Sequence, residues 1–237
     1  MRIVVTNCNT TQEMTEEIVR GARAAAGPGT TVTGLTPAWG PESAEGWLDS
    51  YLSAAAVMDV LRTYDGPAYD AVVMAGFGEH GREGVRELVD VPVVDITEAA
   101  AHLACLLGRR YGVVTTLERS CGQIEDSLEL AGVGRNCAAV VGTGLSVLDL
   151  SGDGSRTEAA FLAAAERACA AGAEVLVLGC AGMTGLQRVV GEKLGLPVVD
   201  GVGAAVKLAE SLVGLGLTTS RVGSFAKPVD KRRGWGR

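Results

Sequence analysis

The chain has 237 residues, 47% hydrophobic but only 4% aromatic, with a formal net charge of −7. That length can bury a large core, as one domain or as two lobes of about 100 residues each. An acidic balance without a basic stripe excludes a nucleic-acid surface, and no apolar run reaches transmembrane length.

Met1-Arg2 leads straight into a short strand, with no apolar core of a signal peptide, and the six cysteines read as reduced thiols of a cytoplasmic protein. There is no Cys-x-x-Cys pair and there are only two histidines, so no zinc site is expected.

In chain order, residues 3–6 read as a buried strand and Asn7-Cys8-Asn9-Thr10-Thr11 as the loop after it. Thr10 or Thr11 would cap a helix running to Gly27, and a polar loop of this kind suits a carboxylate or an amide. Residues 30–35 form a second strand. A helix over 43–63 would bury Leu48, Leu52, Ala55, Ala56 and Leu61, with Trp39 and Trp47 as packing residues. Residues 69–75 form strand three, which ends in Gly76-Phe77-Gly78-Glu79-His80-Gly81. A short helix over 82–88 and a strand over 91–94 follow. Thr97 then opens a helix carrying His102 and Cys105, both expected to be buried.

The second half begins with a strand over 110–115, and Thr115-Thr116 stands where Asn7-Cys8 stood in the first. The helix over 119–131 carries Cys121 near its start, and Cys137 and Cys169 read as packing. Residues 149–156 read as a polar, Gly-rich loop able to cover a cleft, before a helix over 157–171. The last helix ends near Leu215, and a basic tail over 227–237 reads as a solvated end. Strands alternating with helices predict mainly parallel sheets with helices on both faces.

The most informative stretch is Val-Leu-Val-Leu-Gly-Cys-Ala-Gly-Met-Thr-Gly, residues 175–185. Four apolar residues make a buried strand, Gly179 ends it, and Cys180 arrives at its C-terminal tip, where α/β sheets bind ligands. A helix starting just beyond would favour the thiolate. This stretch has a counterpart, residues 72–78 (Val-Val-Met-Ala-Gly-Phe-Gly). Val91-Pro92-Val93-Val94-Asp95 likewise matches Leu196-Pro197-Val198-Val199-Asp200, each followed by an Ala-rich helix. The chain is therefore two similar halves in which Gly76 is the counterpart of Cys180.

These motifs resemble the aspartate/glutamate/hydantoin racemase superfamily, and most closely its hydantoin and allantoin racemase branch. The most specific pieces are Leu178-Gly179-Cys180-Ala181-Gly182-Met183 and Pro197-Val198-Val199-Asp200, with Phe77-Gly78-Glu79 and Lys227-Pro228 in support. The resemblance implies an α/β fold of two similar lobes related by a pseudo-two-fold axis. The lobes would be residues 1–108 with about 210–237, and residues 109–209, with a cleft between them. It further implies a homo-oligomer that uses no cofactor and no metal, and that moves a proton at a carbon next to a carbonyl of a small-molecule carbon acid. One cysteine from each lobe would face that carbon. On this basis Cys180 is the acid/base, and Asn9, Thr10, Phe77, Gly78, Thr115, Thr116, Ala181 and Gly182 are substrate contacts.

The chain departs from the family pattern where it matters most. The first-lobe cysteine position is Gly76, and the Asn-Pro-Asn loop of the hydantoin branch is Asn7-Cys8-Asn9. Four readings stay open. The protein is a racemase or epimerase in which Cys8 or His80 substitutes for the missing thiol. Or it is a one-thiol decarboxylase resembling arylmalonate decarboxylases. Or it is a binding protein that has lost turnover, or a racemase with an introduced substitution at residue 76. Gly76 is expected to leave room for a thiol opposite Cys180.

Overall fold

Runs such as Ala71–Met74 and Val175–Leu178 are apolar at every position, as a strand must be when helices cover both faces of its sheet. The computed structural model, which describes residues 1–151, 154–184 and 186–234, places both runs in sheet centres.

The first sheet contains β1 (Arg2–Thr6), β2 (Thr31–Leu35), β3 (Ala71–Met74) and β4 (Val93–Asp95), in the order β2-β1-β3-β4 with every pair parallel. The second contains β5 (Tyr111–Thr115), β6 (Cys137–Gly142), β7 (Val175–Leu178) and β8 (Val198–Asp200), in the order β6-β5-β7-β8, again parallel. The second sheet thus repeats the first strand for strand. Asp95 and Asp200 end equivalent strands and each caps the helix that follows. Asp95 Oδ1 accepts from the N–H groups of Thr97 (2.8 Å) and Glu98 (3.1 Å), and Asp200 Oδ2 accepts from that of Gly203 (2.9 Å).

The helices are α1 (Gln12–Ala25), α2 (Trp47–Arg62), α3 (Arg82–Leu88), α4 (Ile96–Leu107), α5 (Cys121–Leu130), α6 (Gly154–Ala170), α7 (Gln187–Leu194) and α8 (Gly201–Gly214). Two of them cross between the sheets. α4 leaves β4 and packs on β7 and β8, whereas α8 leaves β8 and packs on β3, β4 and α1. The division of the sequence at residues 108 and about 210 runs through this exchange. α4 and α8 also pack on each other, and a Cβ on Gly201 would meet Ile96 O at 3.0 Å and Ile96 Cβ at 3.1 Å. Ile96 and Gly201 are the first residues of equivalent helices. The two halves therefore meet closely at equivalent positions, and a side chain on residue 201 would have to displace Ile96 slightly.

Several local expectations are corrected. Ala56 and Leu61 are buried as expected, but Leu48 and Leu52 are 72% and 42% exposed, and α2 buries Ser50, Ser53 and Val57 in their place. Its inner face is set by the polar contacts of Ser50 at the cleft rather than by the leucines. His102 is exposed, donating from Nδ1 to the Glu98 carbonyl at 2.8 Å, because Ala101 and Ala104 take the buried phase of α4. Residues 137–142, read only for a packing cysteine, form edge strand β6, whose half-buried Cys-Ala-Ala-Val-Val-Gly shows no clean alternation.

Cys180 is followed by one 3₁₀ turn, Ala181–Met183, and α7 begins only at Gln187. Thr11 does not cap α1, since its hydroxyl donates to the Glu42 carbonyl (2.8 Å). The loop expected over 149–156 is mostly ordered structure, a 3₁₀ turn at Leu148–Ser151 and then α6 from Gly154; residues 152 and 153 lie outside the described residues. Lys227, expected to open a solvated tail, pairs with Asp90 at 2.8 Å, and residues 235–237 lie outside the described residues. Among the described residues no helix is long and apolar enough to cross a membrane.

Candidate active site

Parallel strands present their C-terminal ends, with free backbone groups and loop side chains, at one edge of a sheet. Here the C-terminal ends of β1 and β3 face those of β5 and β7 across a cavity of about 30 Å³. Cys8, Asn9, Gly76 and Phe77 line it from the first half, and Thr115, Thr116, Cys180 and Ala181 from the second. Three of the expected contacts do not line it. The Thr10 hydroxyl donates to the Pro41 carbonyl (3.3 Å), the Gly78 N–H donates to Thr97 Oγ1 (2.8 Å), and Gly182 borders an open groove of about 790 Å³ that shares Ala181 but none of the cysteines.

Both cleft cysteines keep some surface open to the cavity and are otherwise enclosed. Burial pushes the Cys180 thiol up to about 11, partly offset by the Gly182 N–H, with the negative charge of Glu45 raising it further. Activation by a helix N-terminus, expected from the sequence, is therefore reduced to one N–H of a 3₁₀ turn. Burial likewise pushes Cys8 up to about 12, with the charge of a Cys180 thiolate as the next largest cause. Cys121, the other cysteine at a helix start, is pushed up to about 12 by burial and by Glu118, and lies outside the cavity.

Gly76 is crowded rather than roomy. A Cβ on it would lie 2.7 Å from Cys8 Cβ and 2.9 Å from Cys8 Sγ, and would also strike His80 Cδ2. The expectation of free space opposite Cys180 is corrected: the Cys8 side chain and the His80 ring fill it. His80 is held at both nitrogens. Nε2–H donates to the Phe77 carbonyl (3.2 Å), which leaves Nδ1 to accept from Ser50 Oγ (3.2 Å). Burial lowers its pKa to about 4, so the ring is neutral near pH 7.

Asn9 is fixed by its neighbours, its Oδ1 accepting from Asn7 Nδ2 (2.8 Å) and from the Thr11 N–H (3.0 Å). Thr115 donates to the Gly179 carbonyl at 3.0 Å, tying β5 to the turn that carries Cys180. Gln123 of α5 reaches across the cleft to Ser50 and to the Glu79 carbonyl (3.0 Å), joining the two halves behind the cavity. Neither Gln123 nor Ser50 carried a sequence signal beyond its place on an amphipathic helix. Glu45 was missed as well. Its carboxylate accepts from the Val147 N–H (3.0 Å) and its carbonyl from Ser120 Oγ (3.2 Å), so it spans the rim.

Among the described residues, no Arg, Lys, Asp or Glu side chain lines the cavity. The charges lie outside it, in a cluster around the buried Arg82. Arg82 is 2.7 Å from Glu83 and 3.6 Å from both Asp95 and Glu98, and its Nη1 donates to Ser127 Oγ of α5 (3.3 Å). Among the described residues, no group of three or more His, Cys, Asp or Glu is placed to hold a metal ion.

The Asp/Glu/Hydantoin racemase family matches residues 3–209 of the chain. A hydantoin racemase of Rhizobium meliloti is 39% identical over 229 residues, 96% of this chain and 95% of the relative. A crystal structure of allantoin racemase from Pseudomonas fluorescens is 53% identical, with a TM-score of 0.96 over 98% of this chain and 99% of that one. Allantoin racemase from Klebsiella pneumoniae is 39% identical, with a TM-score of 0.93 over 98% and 95%. Sequence, topology and cleft agree: this chain belongs to the Asp/Glu/hydantoin racemase family, a family of isomerases.

Proposed function

We propose that the protein racemises a neutral, five-membered cyclic ureide of the hydantoin or allantoin type, without a cofactor, using Cys180 as one proton carrier. The observation that carries this reading is the uncharged wall of the cavity. An amino acid brings a carboxylate and an ammonium, and a malonate brings two carboxylates. Each would need charged partners once taken out of water. Among the described residues this cavity has none, its histidine is neutral near pH 7, and the charge felt by Cys180 from nearby Glu45 would repel an anion. A cyclic ureide is uncharged and asks only for hydrogen bonds. The high identity to an allantoin racemase and to hydantoin racemases supports the same class.

The hydrogen on the ring carbon beside the carbonyl is weakly acidic. Its removal leaves a planar enolate, whose re-protonation on the other face gives the mirror image. Cys180 stands at the tip of β7 to take or give that proton, with the Gly182 N–H steadying its thiolate. The test incubates single enantiomers of allantoin, of 5-substituted hydantoins, and of aspartate and glutamate with the protein, followed by chiral chromatography against protein-free controls. Accelerated racemisation of the ureides alone is expected. Turnover of the free amino acids without any of the ureides would overturn the reading.

A further inference from the structure

Inverting a carbon centre requires a proton carrier on each face of the planar intermediate, and Cys180 supplies only the face toward the second half. By the repeat, the counterpart position in the first half is residue 76, a glycine with no side chain. Two titratable groups of the first half line the cavity, Cys8 and His80. His80 is unsuited to the task. Both ring nitrogens are engaged, by the Phe77 carbonyl and Ser50 Oγ, and its carbon edge faces residue 76. The sulfur of Cys8 lies 2.9 Å from where a Cβ on residue 76 would be. It thus occupies the space that a side chain on residue 76 would need.

We infer that Cys8 is the second catalytic residue: the first-half thiol has moved from the loop after β3 to the loop after β1, and works across the cleft from Cys180. This rests on the racemase reading above. The empty Cα of Gly76 is then the complement of Cys8, since a side chain on residue 76 and the Cys8 thiol exclude one another.

The electrostatics divide the two thiols into one acid and one base. The negative charge of a Cys180 thiolate raises Cys8, so when the pair gives up its first proton it holds one thiolate and one thiol. With one enantiomer, the Cys180 thiolate takes the ring proton. The C–H bond breaks, an S–H bond forms, and the electron pair moves onto the carbonyl oxygen. The Cys8 S–H bond then breaks, its proton bonds to carbon on the opposite face, and the enolate returns its pair. The cycle leaves a Cys8 thiolate and a Cys180 thiol, the state needed to run the other enantiomer.

The experiment compares the unaltered protein with Cys8→Ala, Cys180→Ala and Cys8→Gly/Gly76→Cys, each given single enantiomers of a hydantoin in heavy water. Inversion is read by chiral chromatography and deuterium uptake by mass spectrometry. Cys8→Ala should lose inversion by about 100-fold to 10,000-fold, the usual worth of a general acid or base. It should still exchange deuterium into one enantiomer with retention, and Cys180→Ala into the other. Loss of a merely structural side chain would not sort exchange by enantiomer. The double variant, whose thiol returns to residue 76, should recover inversion. Should Cys8→Ala fail to fold by circular dichroism, Cys8→Ser supplies the same comparison. Unaltered protein that inverts no ureide defeats the racemase reading. Active unaltered protein with equally active Cys8 variants defeats the assignment of Cys8 alone.

Discussion

Replacing Gly76 by alanine tests the packing of the cleft without touching its chemistry. A methyl group there would stand 2.7 Å from Cys8 Cβ, 2.9 Å from Cys8 Sγ and against His80 Cδ2. Gly76 is not among the glycines with positive φ, so backbone strain adds nothing and the whole effect is steric. His80 cannot swing away without giving up the Phe77 carbonyl and Ser50. Forcing an extra carbon into such a site costs about 1–3 kcal/mol, and in a chain of this size each kcal/mol lowers Tm by about 2–4 °C. Gly76→Ala should therefore melt a few degrees lower. In a Cys8→Gly background the two Cys8 contacts disappear while the His80 contact stays, so the same substitution should cost less, a coupling of about 0.5–2 kcal/mol. Urea and thermal unfolding of the unaltered protein, both single variants and the double variant would measure it. Equal losses in the two backgrounds would refute the contact and, with it, the exclusion between residues 8 and 76.

Three further outcomes are expected. Proton transfer needs one thiolate, and burial places Cys180 at about 11 and Cys8 at about 12, so kcat/KM should rise about tenfold per pH unit between pH 7 and pH 10. Glu45→Gln keeps an oxygen for the Val147 N–H but removes a charge that raises Cys180, so its profile should shift to lower pH; a plateau below pH 9 in the unaltered protein would contradict this account. Arg82→Met should destabilise by about 3–5 kcal/mol, as a buried ion pair does when it loses one partner. Asp95, already raised by burial to about 7, would lose the guanidinium that holds it down. A carboxyl whose folded pKa exceeds its unfolded one weakens the fold as pH rises above about 4, so the deficit in urea unfolding should be larger at pH 8 than at pH 5. An equal deficit at both would contradict it.

Much of this was legible in the sequence because it depends on repetition and on local punctuation. The strands that carry the site are short, apolar at every position and closed by Gly76 or Gly179, and the two Val-Val-Asp segments mark equivalent helix starts. What was illegible depends on packing between distant segments. Nothing local shows that Cys8 and residue 76 compete for one volume, since they are brought together only by the pairing of β1 with β3. Helical phase misled at Leu48 and Leu52, where α2 turns Ser50 toward the polar cleft, and at His102, where small alanines take the buried face of α4. The expected activation of Cys180 failed for a related reason. Enclosure by two facing sheet edges outweighs a single N–H, and that enclosure is a property of the assembled lobes.

The contact of Gly201 with Ile96 has a mechanical consequence. A cavity of about 30 Å³ is far below the ~300–1,000 Å³ usual for a small-molecule site, so a ring must widen it to enter. The crossing point of α4 and α8 offers no slack, since even one added carbon would press on the Ile96 carbonyl. The two halves thus meet closely where α4 crosses α8, and the widening has to come from the cleft side. The bonds such widening would load are those that cross the cleft, from Glu45 to Val147 and Ser120 and from Gln123 to Ser50 and the Glu79 carbonyl.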